Sequence, residues 1–302
     1  SDASIEDGGS GSFLYLFKKK KMIIWLASYP KSGNTLVRSM FAAYYFSKDG
    51  KFNFDLLKNI KKFPDFGVFK NLGIDISNEI EVIKNYIYVQ EEINKRDGNS
   101  IRLLKTHSAL NDINGYRFTN LQNSLGAIHI VRDPRKVLLS YANHSQIILE
   151  DSLNRLLKFH VMGGQKDSQN KSVTHVGSWA SNYNSWKTFA KADKYLLIKY
   201  EDLIMKPEET FILMLKFIYK LKQAKFVLDK IKLKNMLETT TFEYMQKLEK
   251  ENTFPEAIKT ATGKYTTFFK YGKKNTGKDI PTDIKRKLEE AFSSEMKELG
   301  YL

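Results

Sequence analysis

The chain alternates short apolar runs with polar turns and helix-like segments. Four such runs span 23–27, 101–107, 125–134 and 195–203, and the first three deliver polar residues at their ends. Short apolar runs bounded by turn residues are typical of buried β-strands. Each run is followed by a segment able to form a helix, so the pattern predicts an α/β fold with a central parallel sheet flanked by helices. Such sheets bind ligands beyond the carboxyl ends of their strands.

The segment after the first run has the spacing of an amphipathic helix. Its apolar residues recur three to four positions apart. They are Leu36, Met40, Phe41 and Tyr44. Strand, loop and helix in this order form half of a βαβ unit, so the loop between them is expected at the ligand-binding edge of the sheet.

The segment 162–175 breaks the pattern of short connections. It reads MGGQKDSQNKSVTH, which is polar, contains glycine and is long for a loop in a compact domain. We therefore predict a loop that is a candidate lid. The region 51–99 contains helical pieces and turns but no motif that indicates a chemistry.

The composition is that of a globular protein. With 302 residues and 42% hydrophobic residues, the chain can form a single domain, predicted over 13–302. The opening SDASIEDGGSGS is similar to a linker remnant, so residues 1–12 are expected to lie outside the fold. The lack of cysteine excludes disulfides and thiolate metal sites and favours a cytoplasmic protein. No early apolar run approaches the roughly 18 to 20 residues of a membrane span.

The charge of the chain indicates which classes of ligand its surface attracts. Its formal net charge is +15, so its surface attracts anions such as nucleic acid, acidic membranes or a small polyanionic substrate. The lysines are scattered along helix-like segments, as on a solvated surface, and arginine is scarce beside lysine. No nucleic-acid-binding module is recognisable, so we expect no nucleic-acid partner. A basic nucleic-acid-binding protein is the alternative that rests on charge alone.

The turn after the first strand has the composition of an anion-binding loop. It reads YPKSGNT, residues 29–35. A loop between a strand and a helix presents backbone N–H groups and the positive end of the helix to its ligand. Gly33 permits a close approach, and Ser32 and Thr35 add hydroxyl donors. Lys31 adds a mobile charge, so we expect a phosphate. The lysine precedes the glycine, unlike G-x-x-x-x-G-K-[ST], and an ordinary Pro/Gly turn with an exposed lysine is the alternative.

A series of motifs in the same order resembles the sulfotransferases that use 3′-phosphoadenosine 5′-phosphosulfate (PAPS). YPKSGNT is similar to the 5′-phosphosulfate loop of that family, and LLKTH to its Lys-Thr-His strand end. IHIVRDPRKVLLSY is similar to the 3′-phosphate motif, with Arg132 and Ser140 in the matching places. KYEDL and TTTFEYM fall where the family holds the adenine, and FFKYG where it has Phe-x-Arg-Lys-Gly. The resemblance covers almost the whole chain and implies a P-loop NTPase-like three-layer fold.

The resemblance also implies a reaction. The sulfuryl group of PAPS would pass in line to a hydroxyl or amine of a small-molecule acceptor, releasing adenosine 3′,5′-bisphosphate (PAP) and making no demand for a metal. Lys31 matches the catalytic lysine of the family, and Lys105 is expected to assist it. His107 is expected to take the proton of the acceptor, because imidazole has an unperturbed pKa near neutrality. A purely structural histidine at a strand end is the alternative.

The same motifs assign residues to the nucleotide. The phosphosulfate loop contributes Lys31, Ser32, Gly33, Asn34 and Thr35. Arg132 is suited to fork onto the 3′-phosphate, and Ser140 to donate a further hydrogen bond. By resemblance alone, the remaining nucleotide contacts are Tyr200, Thr240, Thr241, Phe242, Phe268, Lys270, Tyr271 and Gly272.

Two departures from the family pattern bear on the nucleotide. Leu36 stands where the family often has Trp, and Lys270 with Tyr271 stands where it has Arg-Lys, which loses a bidentate contact. The nearest alternative enzyme is a P-loop kinase, with Asp133 as an acidic magnesium ligand, but the GK[ST] lysine is missing. Nothing in the sequence indicates the acceptor or the oligomeric state.

Overall fold

The computed structural model describes residues 22–96, 102–163, 173–252, 254–257, 259–260, 262–268 and 280–302. Its strands are β1 (Ile23–Ser28), β2 (Leu103–Thr106), β3 (Asp112–Ile113), β4 (Tyr116–Arg117), β5 (Ser124–Val131), β6 (His160–Met162), β7 (Thr174–Gly177) and β8 (Tyr195–Lys199). Its α-helices are α1 (Asn34–Phe46), α2 (Phe66–Asn71), α3 (Glu79–Lys84), α4 (Tyr86–Lys95), α5 (Pro134–Ser145), α6 (Leu149–Leu157), α7 (Trp179–Lys187), α8 (Tyr200–Met205), α9 (Pro207–Leu221), α10 (Lys230–Thr239), α11 (Phe242–Glu251), α12 (Thr282–Ala291) and α13 (Ser293–Glu298). Two 3₁₀-helices span Phe54–Asn59 and Thr188–Ala192.

The central sheet has the strand order β2-β1-β5-β8, and all its pairs are parallel. This confirms the predicted parallel sheet. In the register, Leu26 of β1 pairs with Lys105 of β2, and Ser28 of β1 pairs with Ile130 of β5. The carboxyl ends of β1, β2 and β5 therefore meet at one edge of the sheet.

The sheet is covered on both faces because successive side chains of a strand point to opposite sides. In β1, Ile24 and Leu26 pack with residues of α1, α9 and α10. Trp25 faces the other layer, where its ring lies 6.1 Å from that of Trp186 in α7. Full burial of a large apolar side chain contributes about 1.5–3 kcal/mol. The burial of all six β1 residues thus fixes the strand from which the polar loop departs.

The fourth predicted strand is shorter than the sequence suggested. Strand β8 ends at Lys199, and α8 begins at Tyr200, so the prediction of a strand through Leu203 is wrong at its end. The reason is local charge: Glu201 and Asp202 lie in the first turn of α8, where acidic side chains favour the positive end of a helix.

The two ends of segment 162–175 belong to paired strands. Strands β6 and β7 form an antiparallel pair in which Val161 lies opposite His175. Residues 164–172, on which the lid prediction falls, lie outside the described residues. Within the described ranges, no helix combines the length and apolar character that crossing a bilayer requires.

Candidate active site

A cavity of about 900 Å³ opens beyond the carboxyl ends of β1, β2 and β5. Its lining comes from two kinds of structure. One part lies at strand ends and comprises residues of loop 29–35 together with Lys105, His107, Arg132 and Tyr200; we call it the strand-end side. The other part, the helical side, is formed by α5, α6 and β6 through Tyr141, His144, Arg155 and His160.

The loop after β1 has the backbone of an anion cradle. Lys31 and Gly33 both have positive φ, at 65° and 101°. A Cβ atom at Gly33 would lie 2.5 Å from Cδ2 of Tyr200, so the tyrosine ring occupies the space that any other residue at 33 would fill. Helix α1 begins at Asn34, and the N–H groups of its first turn have no intrahelical acceptors. The loop therefore presents several donors to one point.

Side chains of the loop divide into those that hold it and those that face a ligand. Asn34 Nδ2 donates to the Leu26 carbonyl at 2.9 Å and to Ser28 Oγ at 3.1 Å, so this predicted nucleotide contact anchors the loop with its side chain. Ser32 is fully buried, and its Oγ has no hydrogen-bond partner. A buried hydroxyl without a partner is unusual and marks a place for an absent acceptor.

Arg132 joins the loop to the end of β5. Its Nη1 donates to the Lys31 carbonyl at 3.0 Å, and its Cζ lies 4.2 Å from the ring centroid of Tyr200. Its Nε is buried without a partner. Arg132 is thus positioned by the loop while one donor of its guanidinium remains available.

Lys31 projects into a hydrophobic and cationic environment. Its Nζ lies 4.0 Å from the ring centroid of Phe268. Burial, followed by the charges of Arg132 and Lys105, lowers the pKa of Lys31 to about 7. A bound anion would favour the charged form of Lys31 and so raise its pKa again.

A carboxylate that the sequence did not indicate lies between the loop and β2. Glu256 Oε2 is 3.5 Å from Lys105 Nζ and accepts from Thr35 Oγ1 at 3.4 Å, while Oε1 is bound by Arg38. Burial alone would raise the pKa of Glu256, but Lys105 and Arg38 outweigh it and lower the pKa to about 2. Burial lowers the pKa of Lys105, and Glu256 offsets part of that effect. No motif surrounds Glu256, so no sequence signal would have found it.

His107 is held in one tautomer. Its Nδ1 lies 2.9 Å from the Ser28 carbonyl and 3.2 Å from Ser28 Oγ. Because a carbonyl can only accept, the closer contact favours the tautomer with the proton on Nδ1, which leaves the lone pair on Nε2 of this cavity-lining residue. Its own carbonyl accepts from Asn182 Nδ2 at 3.1 Å. Burial, together with the charge of Lys105, lowers the pKa of His107 to about 3, so the imidazole is neutral at physiological pH.

The other predicted contacts fall at three places. Ser140 and Leu36 line the cavity, as do Phe242 and Phe268. Thr240 and Thr241 also line it at the junction of α10 and α11, where Thr241 caps α11 by accepting from the Tyr244 N–H at 3.1 Å. Lys270, Tyr271 and Gly272 lie outside the described residues.

The helical side consists of residues that sequence reasoning missed. The Tyr141 hydroxyl and His160 Nε2 are 2.9 Å apart, and Arg155 Cζ lies 5.4 Å from the Tyr141 ring centroid. The ring of His144 is 5.6 Å from that of Phe268. Burial, with the charge of Lys31, lowers the pKa of His144 to about 4. His144 follows Ser140 by four positions, and this spacing on a helix would have placed it on the same face.

Comparisons with known proteins add an independent finding. A family model described as "Sulfotransferase domain" matches residues 21–300. No curated protein sequence gives a significant match. Among solved structures, retinol dehydratase in complex with androsterone and inactive cofactor PAP aligns with a TM-score of 0.56, 15% identity, and coverage of 94% of this chain and 83% of that chain. Retinol dehydratase in complex with retinol and PAP aligns with a TM-score of 0.51 and the same identity and coverage. Both likenesses concern the fold and confirm the predicted three-layer α/β architecture.

Proposed function

The chain belongs to the sulfotransferase family and is a sulfotransferase; from this premise we propose that its sulfuryl donor is PAPS and its acceptor is a hydroxyl or amine of a small molecule. The observation that carries the proposal is the group of unsatisfied donors on the strand-end side. Ser32 Oγ and Arg132 Nε are both buried without partners, beside the first turn of α1. Two structures that share the fold were solved with PAP.

The residues present fit a nucleotide with phosphate groups at both ends. The cradle at 29–35 suits the 5′-phosphosulfate, because it combines helix-terminal N–H groups with the cation of Lys31. Arg132 and Ser140 suit the 3′-phosphate, since a guanidinium and a hydroxyl both donate to phosphate oxygens. Tyr200, Thr240, Thr241 and Phe242 wall the same cavity where the adenine is proposed to lie. A volume of about 900 Å³ leaves room for an acceptor beside the nucleotide.

The proposed catalytic groups have two roles, which are to stabilise negative charge and to accept a proton. PAPS, when bound, supplies the sulfuryl group and a phosphate leaving group. Lys31 and Lys105 would stabilise the negative charge that develops on the departing phosphate. His107 Nε2 would accept the proton of the acceptor, while its Nδ1–H stays on the Ser28 carbonyl and fixes the ring. Burial keeps the imidazole neutral in the free protein, so its lone pair is unprotonated before the acceptor binds.

The proposal is tested by binding and by transfer. We expect PAP to bind in titration calorimetry and ³⁵S from labelled PAPS to appear in a hydroxyl acceptor from a chemically diverse panel. Absence of heat with PAP, together with an empty cavity in crystals soaked with PAP, would overturn the proposal. Turnover that survives a metal chelator separates this enzyme from a P-loop kinase. Generic DNA or RNA binding that persists at moderate salt without a PAP response would favour the nucleic-acid alternative.

A further inference from the structure

Arg155 is a cation that has no carboxylate partner among the residues that the structure describes. It lies on α6 and lines the helical side of the cavity. No carboxylate oxygen of the described residues comes within 4.0 Å of its guanidinium, although ion pairs of that length join many other lysines and arginines of the chain. Its guanidinium lies over the Tyr141 ring, with Cζ 5.4 Å from the ring centroid, and it also makes a side-chain hydrogen bond to Tyr141.

Stacking on a ring does not satisfy an arginine. A guanidinium has five N–H donors, and the contacts with Tyr141 use its face and one hydrogen bond, so further donors remain for another acceptor. The Tyr141 hydroxyl is itself engaged at 2.9 Å with His160 Nε2. Tyr141, itself hydrogen-bonded to His160, therefore fixes one face of Arg155, and the remaining donors of Arg155 are available to the cavity that the residue lines.

The charges of the cavity do not supply the missing partner. Among the described lining residues the carboxylates are Glu243 and Glu256. Glu256 is bound to Arg38 and Lys105 on the strand-end side. Glu243 lies at the start of α11, next to the proposed adenine wall. The phosphates of the nucleotide are assigned to Lys31, Lys105 and Arg132, so they do not account for Arg155 either.

We propose that Arg155, supported by Tyr141 and His160, forms an anion-binding subsite for the acceptor, which carries a carboxylate or phosphate group in addition to the hydroxyl that is sulfated. This inference rests on the proposed function and names the acceptor class for the same site. The placement is consistent with one molecule reaching both points, because the Tyr29 hydroxyl donates to the Arg155 carbonyl at 3.2 Å and Tyr29 begins the cradle loop. Arg155 is thus a specificity residue rather than a catalytic one.

Matched probes that differ only in charge test the subsite. The carboxylate arm compares 4-hydroxyphenylacetate with 4-hydroxyphenylacetamide, and the phosphate arm compares glucose 6-phosphate with glucose. Calorimetry measures each probe against the protein with and without saturating PAP. In at least one arm we expect the anion to bind about tenfold to a hundredfold more tightly than its neutral partner, the range of a hydrogen bond to a charged group. The arm that shows the preference identifies the anionic group.

Variants separate the subsite from general electrostatics. Arg155→Met is expected to abolish the preference for the anion and to leave the neutral probe and PAP unaffected. Arg155→Lys keeps the charge but loses the planar guanidinium that can make two parallel hydrogen bonds. An intermediate preference for the anion is therefore expected. Lys158→Met removes the same charge from the exposed end of α6 and should retain the full preference.

Two outcomes overturn the inference. One is equal affinity for anion and neutral partner, or binding of neither, in both arms of the wild-type protein. The other is an anion preference that survives Arg155→Met. Failure of the proposed function would be seen separately as absence of PAP binding, which the same titrations measure first.

Discussion

The strand-end side and the helical side of the cavity differ in how their residues are brought together. On the strand-end side, the functional groups follow directly on β1, β2, β5 and β8, so hydrogen bonding between parallel strands fixes their spacing. On the helical side, residues of α5, α6 and β6 meet through apolar packing, ring contacts and hydrogen bonds between side chains. The first arrangement tolerates little variation, whereas the second can be changed by substituting side chains alone. Chemistry common to a family suits the former, and substrate choice suits the latter.

The two sides also differ in charge compensation. On the strand-end side, Lys105 and Arg38 are paired with Glu256, and Lys31 and Arg132 are assigned to the nucleotide. On the helical side, Arg155 has no carboxylate among the described residues within ion-pair distance. Substitutions on the two sides should therefore affect different measurements, and the following predictions use that difference.

The largest effect is expected from His107→Ala. Loss of a general base typically lowers turnover by about 10²–10⁴-fold. PAP binding should be unchanged, because the Nδ1 of His107 contacts Ser28 rather than the cradle N–H groups. Stopped assays with ³⁵S-PAPS measure turnover, and calorimetry measures PAP affinity. Full turnover in the variant would assign His107 a purely structural role.

Lys105→Met should lower turnover by about 10²–10³-fold, the cost of removing one donor from a developing anion. Glu256 keeps Arg38 as a partner, so the variant should still fold. Lys61→Met is the matched control, because Lys61 is an exposed neighbour that meets Lys105 through backbone atoms only. A similar loss in both variants would indicate a general effect of surface charge and would break the distinction between the two sides.

Arg132→Lys should weaken PAP binding by about tenfold, corresponding to about 1.4 kcal/mol. Lysine retains the charge but loses the planar fork, the contact to the Lys31 carbonyl and the stacking on Tyr200. The KM for the acceptor, a property of the helical side, should not change. A change confined to the acceptor KM would show that the two sides are not separable.

The smallest effect is a pH dependence that belongs to the strand-end side alone. In the free protein, burial followed by the charges of Arg132 and Lys105 places the pKa of Lys31 at about 7. A bound anion favours the protonated lysine, so the complex holds more protons than the free protein above that pH. PAP affinity should therefore fall as pH rises above about 7, by at most about tenfold per pH unit, and should level off below about pH 6.

Calorimetry in buffers of different ionisation enthalpy measures the linked proton uptake. Lys31→Met should abolish the part of the pH dependence that lies above neutrality. Anion binding at Arg155 should not follow it, since an arginine keeps its charge throughout this range. A PAP affinity that is flat across this range in the wild-type protein would contradict the role of Lys31.

The sequence predicted the parts of the molecule that depend on neighbours along the chain. The parallel sheet, the loop at Lys31 and the positions of His107 and Arg132 after their strands follow from short apolar runs and the turns that end them. The predicted end of the fourth strand was wrong because a helix begins at Tyr200, with Glu201 and Asp202 in its first turn. Glu256 could not be predicted, since its partners Thr35, Arg38 and Lys105 lie more than 150 positions away in the chain. Arg155 and His160 become part of the site only through the packing of α6 and β6 against α5.

The central sheet also sets the spacing of the groups that follow its strands. Neighbouring strands are about 4.8 Å apart, so the departures of the chain from β2, β1 and β5 are spaced at one and two such intervals along the edge. His107, the loop at Lys31 and Arg132 inherit these intervals from backbone hydrogen bonds and not from any side chain. Side chains on the helical side can therefore be substituted without changing the spacing of His107, the loop at Lys31 and Arg132.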